Sequence, residues 1–146
     1  MLIALTEKLF VSPQISVDTV AKAAERGVSL IVNNRPEGEG PDQTPGDAIE
    51  AAARSAGMTY AAIPVTHAGF APWQLDALDE VLERNGEGRV LLYCRSGTRS
   101  TLLWALSRAR AGDDLETIAA TAAAAGYDIA SIRQIMEALA AGKGVS

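Results

Sequence analysis

Short apolar runs alternate along this chain with segments whose apolar residues recur at helical spacing, and this alternation restricts the fold more than any other feature. Val28 to Asn33, Tyr60 to Val65 and Val90 to Tyr93 read as strands. Helical patterns separate them. Ser16 can cap a stripe of Val17, Val20, Ala21 and Ala24 that Gly27 closes, and Thr44-Pro45 opens one with Ile49, Ala52, Ala53 and Ala56 before Gly57. Trp73 to Asn85 carries Leu75, Leu78, Val81 and Leu82, and Thr101 to Arg110 is predicted as the next helix. Two further strands, Leu2 to Leu5 and Leu9 to Ser12, predict a hairpin around Glu7-Lys8. Asp113-Asp114-Leu115-Glu116 resembles a capping box that opens another helix, and Asp128 is the expected cap of the last, which bears Ile129, Ile132, Ile135, Met136 and Leu139. Trp73 and Trp104 are expected in the core, Asp76 and Asp79 on a solvated face. Strands separated by helices predict one α/β domain over residues 1–146, a mostly parallel sheet flanked by helices.

Composition narrows the function classes. The net charge of −5, with no block of Lys or Arg, argues against nucleic acid as a partner and against a membrane surface. The opening Met1 to Leu5 run is too short for a signal peptide or a span, so the chain is expected to be cytoplasmic. One cysteine, Cys94, and one histidine, His67, leave no set of ligands for a Cys/His metal site, and no cofactor is expected.

Cys94 ends the Val90 to Tyr93 strand and is followed by Arg95-Ser96-Gly97-Thr98-Arg99-Ser100 and a helix. A strand, a tight loop and a helix N-terminus in this order aim backbone N–H groups and the positive end of the helix at the sulfur, which favours a thiolate. Gly97 allows the backbone to curl into an anion nest, and Ser96 and Thr98 add small hydroxyl donors. Arg99 can close the ring with a planar fork suited to a tetrahedral oxyanion, and Ser100 can donate to the sulfur or cap the helix. Cys94 and Arg99 are therefore the catalytic candidates, and Arg95, Ser96, Gly97, Thr98 and Ser100 the substrate-binding ones. Ligands of open α/β sheets bind beyond the carboxyl ends of the strands. Two more loops leave those ends, residues 34–41 and 66–72, so Arg35 is a candidate second anion ligand and His67 a candidate acid or substrate contact.

The run Cys-Arg-Ser-Gly-Thr-Arg-Ser resembles the active-site loop of rhodanese-type sulfurtransferases and that of cysteine-dependent tyrosine and dual-specificity phosphatases. Together with residues 10–15 (Phe-Val-Ser-Pro-Gln-Ile) and 31–36 (Ile-Val-Asn-Asn-Arg-Pro), it makes nearly the whole chain similar to the bacterial beta-lactamase-hydrolase-like, phosphatase-like family. That resemblance implies a cysteine-phosphatase-like fold. Since family members occur alone or fused to persulfide dioxygenases, it also implies such a dioxygenase as a partner.

Two departures from the phosphatase pattern shape the expected chemistry. Four residues lie between Cys94 and Arg99, where the phosphatase loop holds five, and the shorter ring suits a smaller group such as the outer sulfur of a persulfide. The loop at 66–72 offers His67 where phosphatases usually place an acidic aspartate. The expectation is therefore sulfur transfer through a Cys94 persulfide, from a small anionic sulfur donor such as thiosulfate to a thiol acceptor. The alternatives are hydrolysis of a phosphate ester through a phosphocysteine, and a non-catalytic sensor that binds an anion or persulfide.

Overall fold

The computed structural model describes residues 1–142. Five strands, β1 (Ile3–Ala4), β2 (Leu9–Ser12), β3 (Val28–Asn33), β4 (Thr59–Ala62) and β5 (Arg89–Tyr93), form one sheet in the order β1-β2-β5-β3-β4. β1 pairs with β2 antiparallel and the other pairings are parallel. The expected hairpin and mostly parallel sheet are thus both present. Six helices accompany the sheet: α1 (Val17–Glu25), α2 (Gly46–Ser55), α3 (Pro72–Asn85), α4 (Thr98–Arg110), α5 (Leu115–Ala124) and α6 (Arg133–Ala140), the last preceded by a 3₁₀ turn, Ala130–Ile132.

The period of two along the strands sorts side chains onto two faces. Phe10, Ile31, Leu91 and Tyr93 pack with Val20 and Ala23 of α1 and Ile49 and Ala53 of α2. Val11, Leu30, Val32, Val90 and Leu92 pack on the other face against α3 to α6, through Leu75, Leu78, Leu103, Leu106, Ile118 and Met136. Val28 and Leu30 fall on opposite faces although they share parity, because the β3–β5 register shifts between them.

This register positions the site. Ser12, Tyr93 and Asn33 stand opposite one another across the central strands, so the segments after β2, β5 and β3 leave the sheet at one level. Cys94, Pro13 and Asn34 are the first residues beyond it.

Several sequence expectations shift. The strand predicted over Tyr60 to Val65 ends at Ala62, because Pro64 has no N–H for a continuing ladder; Ile63 and Val65 still donate to Asn33 O and Asn34 O, at 2.9 Å each. α4 begins at Thr98 rather than Thr101, so Arg99 and Ser100 belong to its first turn. The α1 stripe is rotated. Val20, Ala23 and Ala24 face inward, while Ala21 is exposed and Val17 is 47% exposed. Ala56, beyond the last turn of α2, is exposed as well. Trp104 is buried as expected, but Trp73 is 52% exposed: the first turn of α3 turns Gln74 and Leu75 into the core and leaves Trp73 on its outer side. Asp76 and Asp79 do not simply face solvent: Arg110 bonds both at 2.8 Å, and Ser107 donates to Asp79 at 2.6 Å, joining α3 to α4. Asp128 caps the 3₁₀ turn through the Ala130 N–H instead of capping α6 directly.

Candidate active site

Cys94 is buried at the carboxyl end of β5, its own N–H directed at Ser12 O. Its sulfur accepts the Gly97 N–H at 3.1 Å. That bond requires the chain to reverse within three residues, and Gly97 supplies the reversal at φ +90°, a left-handed conformation that disfavours other residues. α4 begins immediately after, so its first turn and positive end stand behind the loop. The curl predicted for Gly97 is present.

The loop hydroxyls are arranged differently from expectation. Ser96 Oγ donates to Thr98 Oγ1 at 2.9 Å and accepts the Thr98 N–H at 3.3 Å, so the two side chains brace each other. Ser100 is buried and donates to Asn34 Oδ1 at 2.8 Å; its hydroxyl is spent there and not on the sulfur. Asn34 in turn donates through Nδ2 to Ile63 O and through its backbone to Tyr93 O, at 2.8 Å each. One buried amide thereby links the segments that follow β3, β4 and β5.

Arg99 projects toward the loop that follows β3. Its Nη1 donates to Glu39 Oε2 and to Val65 O, both at 2.8 Å, and its Nη2 donates to Glu39 Oε1 at 2.7 Å. Arg35, 7% exposed, donates through Nε to the same Glu39 Oε1 at 2.9 Å and through Nη1 to Gln14 Oε1 at 3.0 Å. Glu39 thus serves two guanidinium groups. Hydrogen bonds from Arg99 outweigh burial and, with those from Arg35, hold its carboxyl down at about 2. In return Glu39 raises the Arg99 pKa, and the charge on Cys94 adds to the effect.

A guanidinium has five N–H donors, and Glu39 and Val65 take three from Arg99. The edge carrying Nε–H and the second Nη2 hydrogen meets no oxygen acceptor among the described residues, and Arg99 also hydrogen-bonds the Cys94 side chain. A side-on edge of this kind presents two parallel donors, the geometry that binds two oxygens of one tetrahedral anion.

The remaining candidates are less closely gathered. Arg95 is exposed and, with Gln14, Arg35, Glu39 and Gln43, lines a cavity of about 290 Å³ beside the loop. His67 is exposed at the tip of a turn closed by Gly69 N–H to Thr66 O, and its segment meets the site through Val65 O. Among the described residues, no three His, Cys, Asp or Glu side chains converge as metal ligands. No helix there is long and apolar enough to cross a membrane.

Three site residues escape the sequence reading. Glu39 lies four residues after Arg35 in a segment that is not helical, so the helical pairing rule would not select it. Asn34 reads as loop. Tyr127, between α5 and α6, donates through its hydroxyl to Ser96 O at 3.1 Å from a segment with no motif of its own.

The comparisons agree with this geometry. Residues 2–111 match the family described as beta-lactamase hydrolase-like protein, phosphatase-like domain. A beta-lactamase hydrolase-like protein of Xylella fastidiosa is 39% identical over 106 residues, which are 73% of this chain and 24% of the relative; the chain thus spans about a quarter of that protein's length. A Neisseria meningitidis protein provisionally named a phosphatase superposes with a TM-score of 0.82 at 30% identity, covering 94% of this chain and 96% of its own. Kinase-associated phosphatase, at 15% identity and a TM-score of 0.70 over 94% of this chain and 89% of its own, shares the fold. The cysteine-phosphatase-like fold that the family resemblance implied is present, and the chain belongs to the beta-lactamase hydrolase-like, phosphatase-like domain family.

Proposed function

We propose that this domain hydrolyses phosphate monoesters through a Cys94 phosphocysteine. The observation that carries the reading is the side-on edge of Arg99, in the first turn of α4, held by Glu39 beside the Cys94 sulfur and bonded to no oxygen among the described residues. Two parallel donors match two phosphoryl oxygens, and loop N–H groups at the helix N-terminus can receive the third. The Cys94 thiolate attacks phosphorus, the bond to the ester oxygen breaks, and that oxygen leaves as an anion or takes its proton from solvent water. Water then attacks the phosphocysteine, releasing inorganic phosphate and returning the thiolate.

Family membership and the likeness to a Neisseria meningitidis protein provisionally named a phosphatase support phosphate over sulfur. Sulfur transfer stands as the second reading on one observation, the four residues between Cys94 and Arg99. Incubation with nitrophenyl phosphate, and separately with thiosulfate or glutathione persulfide, followed by intact mass, distinguishes the two. Release of nitrophenol by the unmodified protein and not by Cys94→Ser is expected. Uptake of one sulfur atom without phosphate release would replace the phosphatase reading with the second.

A further inference from the structure

The peptide group between Ser96 and Gly97 is held on both edges. Its N–H donates to Cys94 Sγ at 3.1 Å, and its C=O, on the opposite edge of the same planar trans unit, accepts from Tyr127 Oη at 3.1 Å. The plane cannot turn one group without turning the other. Because Gly97 has no Cβ and already sits at φ +90°, rotation of this peptide would meet little steric resistance of its own, and a flip would bring a carbonyl oxygen toward the sulfur. A carbonyl there repels a thiolate, whereas an N–H stabilises it.

Tyr127 is itself firmly placed. α5 ends in a left-handed cap, with Gly126 at φ +95°. Gly126 N–H donates to Ala123 O and Tyr127 N–H to Ala122 O, both at 2.9 Å, the paired bonds of a Schellman motif. The Tyr127 side chain packs against the core beneath α4 to α6 and covers the outer face of Gly97, where a Cβ would strike its hydroxyl. Burial and then the charge on Cys94 push the Tyr127 pKa up, so the hydroxyl remains a donor. The residue lies outside the segment that matches the family, residues 2–111.

We propose that Tyr127 is a positioning residue that pins the Ser96–Gly97 peptide with its N–H toward Cys94 and so sustains the thiolate. The proposal rests on Cys94 being the nucleophile of the reaction above.

Alkylation of Cys94 by iodoacetamide across pH tests it, in the unmodified protein and in Tyr127→Phe. The phenylalanine keeps the ring over Gly97 and deletes only the hydroxyl. The pH of half-maximal alkylation should rise by roughly one unit, which is about tenfold less thiolate at any pH below both midpoints. The acid limb of kcat/KM for nitrophenyl phosphate should move with it while the plateau at higher pH is retained. Equal alkylation midpoints in two proteins of equal melting temperature would overturn the proposal. Alkylation needs no phosphate ester, so a failure of the phosphatase reading leaves this result interpretable. The Gly97 amide gives a second readout without any variant: its chemical shift should follow deprotonation of Cys94, and an amide indifferent to that titration also overturns the proposal.

Discussion

Both oxygens of Glu39 are bound by Arg99, Oε1 to Nη2 at 2.7 Å and Oε2 to Nη1 at 2.8 Å, across 60 positions of sequence. The contact is end-on, and its consequence lies in what it leaves over. A side-on pairing would have consumed Nε–H and with it the edge that can grip a substrate anion. End-on pairing fixes the plane of the guanidinium and leaves that edge to the Cys94 side of the site, so the carboxylate orients the arginine without occupying the edge a substrate anion would need.

Glu39→Gln should therefore impair turnover without touching the nucleophile. The amide can accept on one atom only, which releases one arm of Arg99 and leaves Arg35 with a neutral partner. We expect kcat/KM for nitrophenyl phosphate to fall between about 10- and 100-fold, as small misplacements of a positioning group do. Alkylation of Cys94 should change far less. Unaltered turnover would mean that Val65 O and the helix alone place Arg99.

Acid should weaken the fold through the same carboxylate. The folded-state pKa of Glu39, about 2, lies below its ordinary value of 4.5, so the folded state binds the proton more weakly than the unfolded chain does. The stability it contributes is fully present above about 4.5 and is lost as pH falls from there through about 2. Melting temperature measured against pH for the unmodified protein and Glu39→Gln isolates the effect, because other carboxylates cancel in the difference. The gap between the two should be widest above about pH 4.5 and narrow toward pH 2. A gap of constant width would show that Glu39 is not depressed in the folded state.

Arg99→Lys tests the planar fork directly. A lysine can keep the positive charge and one bond to Glu39, but it cannot hold Glu39 and two phosphoryl oxygens in one plane. A loss on the order of 10²-fold or more in kcat/KM is expected, comparable to removing an oxyanion-stabilising donor. Activity close to that of the unmodified protein would place the work of anion binding on the loop amides.

Much of the architecture was legible because local rules and tertiary demands coincide in it. Val28 to Asn33 is a strand as predicted, and Gly27 and Gly57 end their helices at φ +81° and +80°. Cys94, Gly97 and Arg99 were legible for a related reason: strand, tight turn and helix are contiguous in sequence, so their chemistry is local. The partners of those residues were not. Glu39 reaches Arg99 across 60 positions, Asn34 reaches Ser100 across 66 and Tyr127 reaches Ser96 across 31, through a register that no local pattern encodes. The exposed Trp73 shows the converse. It lies two residues before Leu75 and five before Leu78, offsets that place it on the opposite side of α3 from the buried stripe, so its aromatic size alone misled the reading.

Substrates with good leaving groups should be strongly preferred, because a proton donor is the least developed part of the site. Glu39, at about 2, is ionised at neutral pH and cannot donate. The loop after β4 carries His67, which is exposed and makes no hydrogen bond among the described residues. A positioned general acid is worth roughly 10²- to 10⁴-fold for an ester whose oxygen must leave as an alcohol, and almost nothing for nitrophenolate, which departs as a stable anion. Aryl phosphates of graded leaving-group pKa should therefore give a steep fall in kcat/KM as that pKa rises, with alkyl phosphates at least about 10²-fold below nitrophenyl phosphate. The slope should be the same in His67→Asn. A shallow dependence in the unmodified protein that steepens in this variant would instead identify His67 as the acid, brought to the leaving oxygen when substrate binds.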